Sequence, residues 1–291
     1  LVQVDTAEPV TYEPDRREEV PDTLDAQILR DGEPFFARGE KMQLTYEVQN
    51  VQRTIGARAS SAIVRKFGEK ALPEGRLHIR LTGSAGQSLG AFSVQGLLLD
   101  VVGDANDYVG KGLSGATIQL RPPANASYQS GENTIIGNTC LYGATGGNLY
   151  AAGQAGVRFG VRNSGAEAVV EGCGANGCEY MTGGRVAILG PVGDNFGAGM
   201  TGGIAYIWDP EKRFEHVANP DAIDWYPIGD MDQKHIDVFK MMLEIHAERT
   251  GSARAKELLK EWGQTLSDTL MIVPKEISER VLGDTKIEKV G

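Results

Sequence analysis

The chain has 291 residues, a formal net charge of -10 and no Lys/Arg cluster, which argues against nucleic-acid and anionic-membrane partners because phosphate binding needs concentrated positive charge. Cys140, Cys173 and Cys178 are an odd number without disulfide-framework spacing, which points to a reducing, cytoplasmic compartment. Glycine is in excess: 38 in all, 28 of them between Gly83 and Gly203, against roughly 7% in ordinary globular chains.

Residues 1–21 mix acids, prolines and the Arg16-Arg17 pair with little apolar content, so they bury little surface and read as a linker. The chain opens on Leu1 rather than Met and without a signal-peptide layout, as expected of a processed product or a piece of a longer polypeptide. Asp22 is placed to cap a short helix with Leu24, Ile28 and Leu29 on one face and Gly32 at its end. From Lys41 to Gln49, Met42, Leu44, Tyr46 and Val48 alternate with polar residues, the pattern of a half-buried strand. Ala57 to Phe67 forms a helix closed by Gly68, and Leu77, Ile79 and Leu81 begin a second alternation.

A repeat then emerges from pairs of a small or polar residue with glycine: Gln95-Gly96, Ser114-Gly115, Thr145-Gly146, Ser164-Gly165, Thr182-Gly183 and Thr201-Gly202. Successive glycines of these pairs are 18 or 19 residues apart, except for one step of 31, which places an insertion within Arg121 to Asn133. One, three and five residues after each glycine stand inward positions such as Leu97/Leu99/Val101 and Ala116/Ile118/Leu120. Thr117, Gln119, Asn148, Tyr150, Glu167 and Val169 fall on the opposite phase and are expected outside, where Thr117 would tolerate a charge. The period and the corner glycines predict a mainly β fold, a parallel β-solenoid over 77–210. Residues 22–76 then form an N-terminal cap and lead-in, and 211–291 a C-terminal helical extension. In that extension Asp230 or Asp232 caps a helix through about Arg249, with an apolar stripe of Ile236, Phe239, Met242, Leu243 and Ile245, and Ser252 caps another.

Gly110-Lys-Gly112-Leu-Ser-Gly115 has dinucleotide-fingerprint spacing, but a strand rather than a helix is expected to follow. The spacing recurs at Gly172/Gly174/Gly177 and Gly197/Gly199/Gly202, so these glycines read as coil corners. The cysteines match neither a zinc node nor a ferredoxin run, and read as small buried residues. His78, His216, His235 and His246 lack metalloprotease spacing, and Asp104, Asn106 and Asp107 read as turn formers rather than cation ligands.

Asn106-Asp-Tyr-Val-Gly-Lys-Gly-Leu-Ser-Gly115, Gly137-Asn-Thr-Cys-Leu-Tyr-Gly-Ala-Thr-Gly-Gly147, Gly177-Cys-Glu-Tyr-Met-Thr-Gly-Gly184 and Asn195-Phe-Gly-Ala-Gly-Met-Thr-Gly-Gly203 closely resemble the glycine-repeat (GXGXG) domain at the C-terminus of the glutamate synthase large subunit. Asn50 to Gly56 and Thr250 to Arg254 extend the resemblance, while Ala175 and Asn176 depart from it, standing where the family usually has an acid and a histidine. The resemblance implies a single-stranded right-handed parallel β-helix packed against the other domains of that subunit, with the small NADPH-oxidising subunit a further partner. It implies FMN and an iron-sulfur cluster elsewhere in the enzyme, none in this chain, and no catalytic, cofactor-binding or metal residue here. Alternatives are the β-helix subunit of formylmethanofuran dehydrogenase, a free-standing β-helix polysaccharide-processing enzyme, and a self-assembling solenoid. The second needs clustered outward carboxylates, and the positions expected outside carry few charges.

Overall fold

The structure, a computed structural model, describes residues 22–70 and 72–282; the expected linker over 1–21 lies outside them. Helix α1 (Leu24–Asp31) is capped by Thr23, whose hydroxyl accepts from the Ala26 N–H at 3.3 Å. Asp22, the expected cap, instead forms a two-pronged pair with Arg30 at 2.9 Å. A short helix α2 (Glu33–Arg38) leads to strand β1 (Met42–Val48), and α3 (Ala57–Phe67) ends at Gly68. The first turn of α3 has no side-chain cap of its own. The buried Asp25 of α1 supplies one from a distance, accepting from the Gly56 and Arg58 N–H groups at 2.7 Å and satisfying donors that a helix start otherwise leaves open.

The strands β2 (Leu77–Ala85), β3 (Leu97–Ala105), β4 (Ser114–Arg121), β6 (Gly146–Ala151), β8 (Ser164–Val170), β9 (Thr182–Ile188) and β10 (Gly202–Trp208) continue from β1 in parallel. Short strands β5 (Thr134–Ile136) and β7 (Gln154–Ala155) branch from β3. The register joins the expected inward positions into one ladder, Leu44–Ile79–Leu99–Ile118–Leu149–Ala168–Val186–Ala205. From Ile79 to Ala205 every member is fully buried. The small-plus-glycine pairs mark bulges, where the register shifts between Ser114 and Thr117, Ser164 and Glu167, and Gly202 and Ile204. The expected insertion is the irregular stretch between β4 and β5.

The expected fold class is corrected here. The twelve strands make one open, mixed, mostly parallel sheet with helices packed on it, an α/β fold, and not a mainly β right-handed β-helix. The path beyond β10 reverses direction: β12 (Thr269–Pro274) pairs antiparallel with β10, and β11 (Ile223–Pro227) antiparallel with β12. Period and glycine phase report in-register stacking, and they carry no information about this antiparallel return or about the helices.

A short helix α4 (Phe214–Val217) follows β10, and the helices after it overturn the expected outer face. Asp232 caps α5 (Gln233–Thr250), and Ser252 caps α6 (Ala253–Lys260), accepting from the Ala255 N–H at 3.0 Å; α7 (Trp262–Ser267) follows, and α8 (Ser278–Leu282) ends the described residues. Helix α5 crosses β4, β6 and β8. Tyr150, Val169, Ala187 and Tyr206 pack there against Phe239, Met242, Leu243 and Leu258. Thr117 is therefore fully buried instead of facing water. With an apolar cluster on each face the sheet is a two-sided layer, which is what a mostly parallel sheet requires. Among the described residues no helix is long and apolar enough to cross a membrane.

Candidate functional site

The turns joining successive strands place left-handed residues in phase. Phe92, Gly112, Gly143, Arg162, Tyr180 and Gly199 all have φ between 53° and 65°, and their backbones stack. Phe92 N–H donates to Lys111 O, Gly112 N–H to Tyr142 O, Arg162 N–H to Glu179 O and Tyr180 N–H to Ala198 O, each at 2.8 Å. The second glycine of Gly110-Lys-Gly112 is fixed by its neighbour, because a Cβ there would stand 2.5 Å from the Phe92 ring of the preceding turn. Gly199 lies in the same way under Tyr180. Over Gly143, in contrast, the space is open. Arg162 lies 5.9 Å from the centre of the adjacent Tyr142 ring.

Phe92 and Tyr180 are 58% and 55% exposed, and Tyr108, also left-handed, is 40% exposed. A bulky residue at positive φ costs about 1–2 kcal/mol, and an exposed aromatic ring gains little from packing. Phe92 and Tyr180 combine these two unfavourable features in one stack of turns, and Tyr108 does so in a second stack, whose Tyr108 N–H donates to Asn138 O.

These turns also test the groups implied by resemblance. Phosphate binding at a glycine loop needs free N–H groups at a helix start, yet here Gly110, Gly112 and Gly197 donate to Leu89, Tyr142 and Gly177, and a strand follows Gly115 and Gly202. The loops do not fit a flavin phosphate. Among the described residues no group of three or more His, Cys, Asp or Glu side chains could hold a metal, so an iron-sulfur cluster does not fit either. Asp104 accepts from Ser84 Oγ at 2.9 Å and Asp107 from the Asn138 N–H at 2.7 Å, both turn-stabilising contacts. Cys140, Cys173 and Cys178 are free and buried; burial pushes the first two thiols up to about 12 and the third well above its ordinary value. Since the thiolate is the reactive form, native protein at pH 8 should leave all three untouched by DTNB, and unfolding in guanidinium should release three equivalents. Rapid labelling of the native chain would contradict their placement.

Two clusters around buried carboxylates were not foreseen from sequence. Asp100, 1% exposed, accepts from Arg80 Nε at 3.1 Å and Arg121 Nη1 at 2.5 Å, with His78 Nε2 at 3.4 Å. Burial raises its pKa, but the hydrogen bonds of His78, Arg121 and Gln119 outweigh that and hold the carboxyl well below its usual range. Glu171 is fully buried, accepts from Ser252 Oγ and, at 3.2 Å, from Ser130 Oγ, and faces His246 Nε2 at 3.5 Å. Burial raises this carboxyl as well, and its partners bring it below the ordinary glutamate value. The cluster fastens the insertion, the end of β8, the last turns of α5 and the start of α6 together. An acid inside an apolar run, Leu-Leu-Leu-Asp100 or Val-Val-Glu171, was the available signal. Of the histidines, His216 is exposed, while His235 and His246 are buried.

In-register parallel strands joined by stacked left-handed turns, with glycines fixed by close approach, define a glycine-repeat domain. The chain belongs to the GXGXG motif family, whose model matches residues 25–275. It is 53% identical to the glutamate synthase [NADPH] large chain of Azospirillum brasilense over 97% of its own length and 18% of that protein. To the glutamate synthase [NADPH] large chain of Bacillus subtilis it is 41% identical over 92% of this chain and 18% of the relative. To the chloroplastic ferredoxin-dependent glutamate synthase of Spinacia oleracea the identity is 43%, over 86% and 15%. The chain spans less than a fifth of the length of these curated relatives.

Proposed function

We propose that this chain is the GXGXG portion of a glutamate synthase large chain and acts as a non-catalytic brace for the glutaminase and FMN-bearing synthase domains. Together these make two glutamates from glutamine and 2-oxoglutarate, passing ammonia internally. The carrying observation is identity across 97% of this chain with a protein more than five times as long. On this reading FMN and the iron-sulfur cluster belong to the remainder of the large chain, of which this chain spans 18%. The exposed aromatic rings of Phe92, Tyr108 and Tyr180 are our choice of contact points for those domains, and the small NADPH-oxidising subunit is a further partner. Relatives named for NADPH, NADH and ferredoxin match this portion at 53%, 44% and 48% identity, so we place electron-donor selection outside it. We take 22–76 as an N-terminal cap and lead-in to the stack over 77–210 and 211–291 as its C-terminal helical extension, and three free cysteines favour a cytoplasmic setting.

In the complete enzyme, alanine at Asp104, Asp107, Lys111, Glu179 or His216 should leave turnover within a few-fold of wild type. Deleting the domain should abolish soluble, coupled enzyme. Steady-state glutamate production beside uncoupled glutamine hydrolysis is the readout. A folded point variant that lost about a thousandfold, the effect of an acid-base or electrostatic group, would refute the brace.

A further inference from the structure

A groove of about 530 Å³ lies where α5 crosses β4, β6 and β8. Its lining residues are largely committed on their donor side. Asn148 gives its Nδ2 to Thr117 Oγ1 at 3.4 Å. Gln119 stands beside the Asp100 carboxylate and helps to lower its pKa. The carbonyl oxygens of both amides are left as acceptors without a donor among the described residues.

The third polar group of the lining is Tyr150. The residue is 5% exposed, yet its hydroxyl makes no hydrogen bond among the described residues. Its charged neighbours are Arg249, Glu167 and Glu74, which line the same groove. The hydroxyl keeps solvent-accessible surface and opens into the groove, where an incoming donor can reach it.

The charges are of one prevailing sign. Glu74, Glu167 and Glu248 face a single lining cation, Arg249. That guanidinium is already engaged, 2.7 Å from Glu74 and 5.5 Å from the centre of the Tyr150 ring. Glu167 has Arg185 at 2.5 Å. Glu248 is exposed and has no ion pair among the described residues. An anion would meet spent donors and surplus carboxylates. A bare metal ion would find no ligand cluster, and the volume lies in the range of small-molecule pockets.

We infer that this groove binds a small aliphatic ammonium compound, a diamine or polyamine, whose N–H donors meet Glu167, Glu248, Tyr150 Oη and the two amide oxygens. Nothing in the brace reading requires such a site, and the two stand or fall separately.

The test is calorimetric titration of the complete polypeptide with putrescine and with spermidine at low ionic strength, with propionate as the anionic control. One saturable site is expected for an amine, none for propionate, and weaker binding as salt rises. Glu248→Gln, on the exposed side of α5 where folding is not at stake, should weaken binding about tenfold, as should Glu167→Gln. Tyr150→Phe should weaken it less. Glu47→Gln, an exposed charge on β1, should change nothing. The inference is overturned if neither amine gives saturable heat, or if Glu248→Gln leaves the affinity unchanged. It is also overturned if a carbodiimide links Glu248 to a lysine elsewhere in the polypeptide, because the groove is then filled by protein.

Discussion

Ile118→Asp is expected to lower the unfolding free energy by about 4 kcal/mol or more. Ile118 is fully buried, sits between Leu99 and Leu149 in the central ladder, and presses on Gly90 and Gly110 across the interior. An aspartate there loses the apolar contacts and strands a carboxyl where no cation reaches it. Thr117→Asp is the more informative partner. Strict alternation makes it harmless, but in the structure Thr117 lies beneath α5, bonded by Asn148, and the substitution should cost about 2–4 kcal/mol. Denaturant titration of both variants decides the matter. If Thr117→Asp unfolds like wild type, the helices do not cover that face.

The second large effect concerns Glu171. Removing the Glu171 carboxylate leaves the buried Ser252 hydroxyl, the Ser130 hydroxyl and His246 without their shared acceptor, at a cost of about 2–4 kcal/mol, so Glu171→Ala should destabilise more than any exposed ion-pair variant such as Arg30→Ala. Acidity should imitate the mutation in part. Glu171 and Asp100 both have folded pKa values below the ordinary carboxylate range, so the unfolded chain takes up protons first as pH falls. Their contribution is complete above about pH 5 and is lost progressively below about pH 4. Unfolding curves between pH 7 and pH 3 should show this loss in wild type and a shallower one in Glu171→Ala. Parallel curves would mean that Glu171 is not paired as described.

What could be read from the sequence was what local chemistry decides. The helix Ala57–Phe67 with its terminal Gly68, the Ser252 cap and the inward ladder through Ile118 all follow from spacing and side-chain type. Asp22 and Thr23 compete for one cap, and the winner depended on Arg30, which draws Asp22 away. The stripe on α5 announced a buried face without saying what would bury it. Outward apolar residues from Val169 onward held the other half of that answer. Glu171 and His246 are 75 positions apart, and no period joins them. The left-handed phase was foreshadowed by its glycines, but Phe92, Arg162 and Tyr180 share it with side chains that give no such hint.

The pitch of the parallel strands has a dimensional consequence. Neighbouring strands lie about 4.8 Å apart, and seven such steps separate β1 from β10, a span of about 34 Å. Adding or deleting one whole repeat would preserve which way every remaining side chain points, yet it would alter that span by a full step. A displacement of about 1 Å can already cost a catalytic centre a hundredfold. Under the proposed bracing role the domain is a gauge block: its interior residues would be free to drift among apolar types, while its number of repeats would not, because its length changes only in increments too coarse for a neighbouring catalytic centre to absorb.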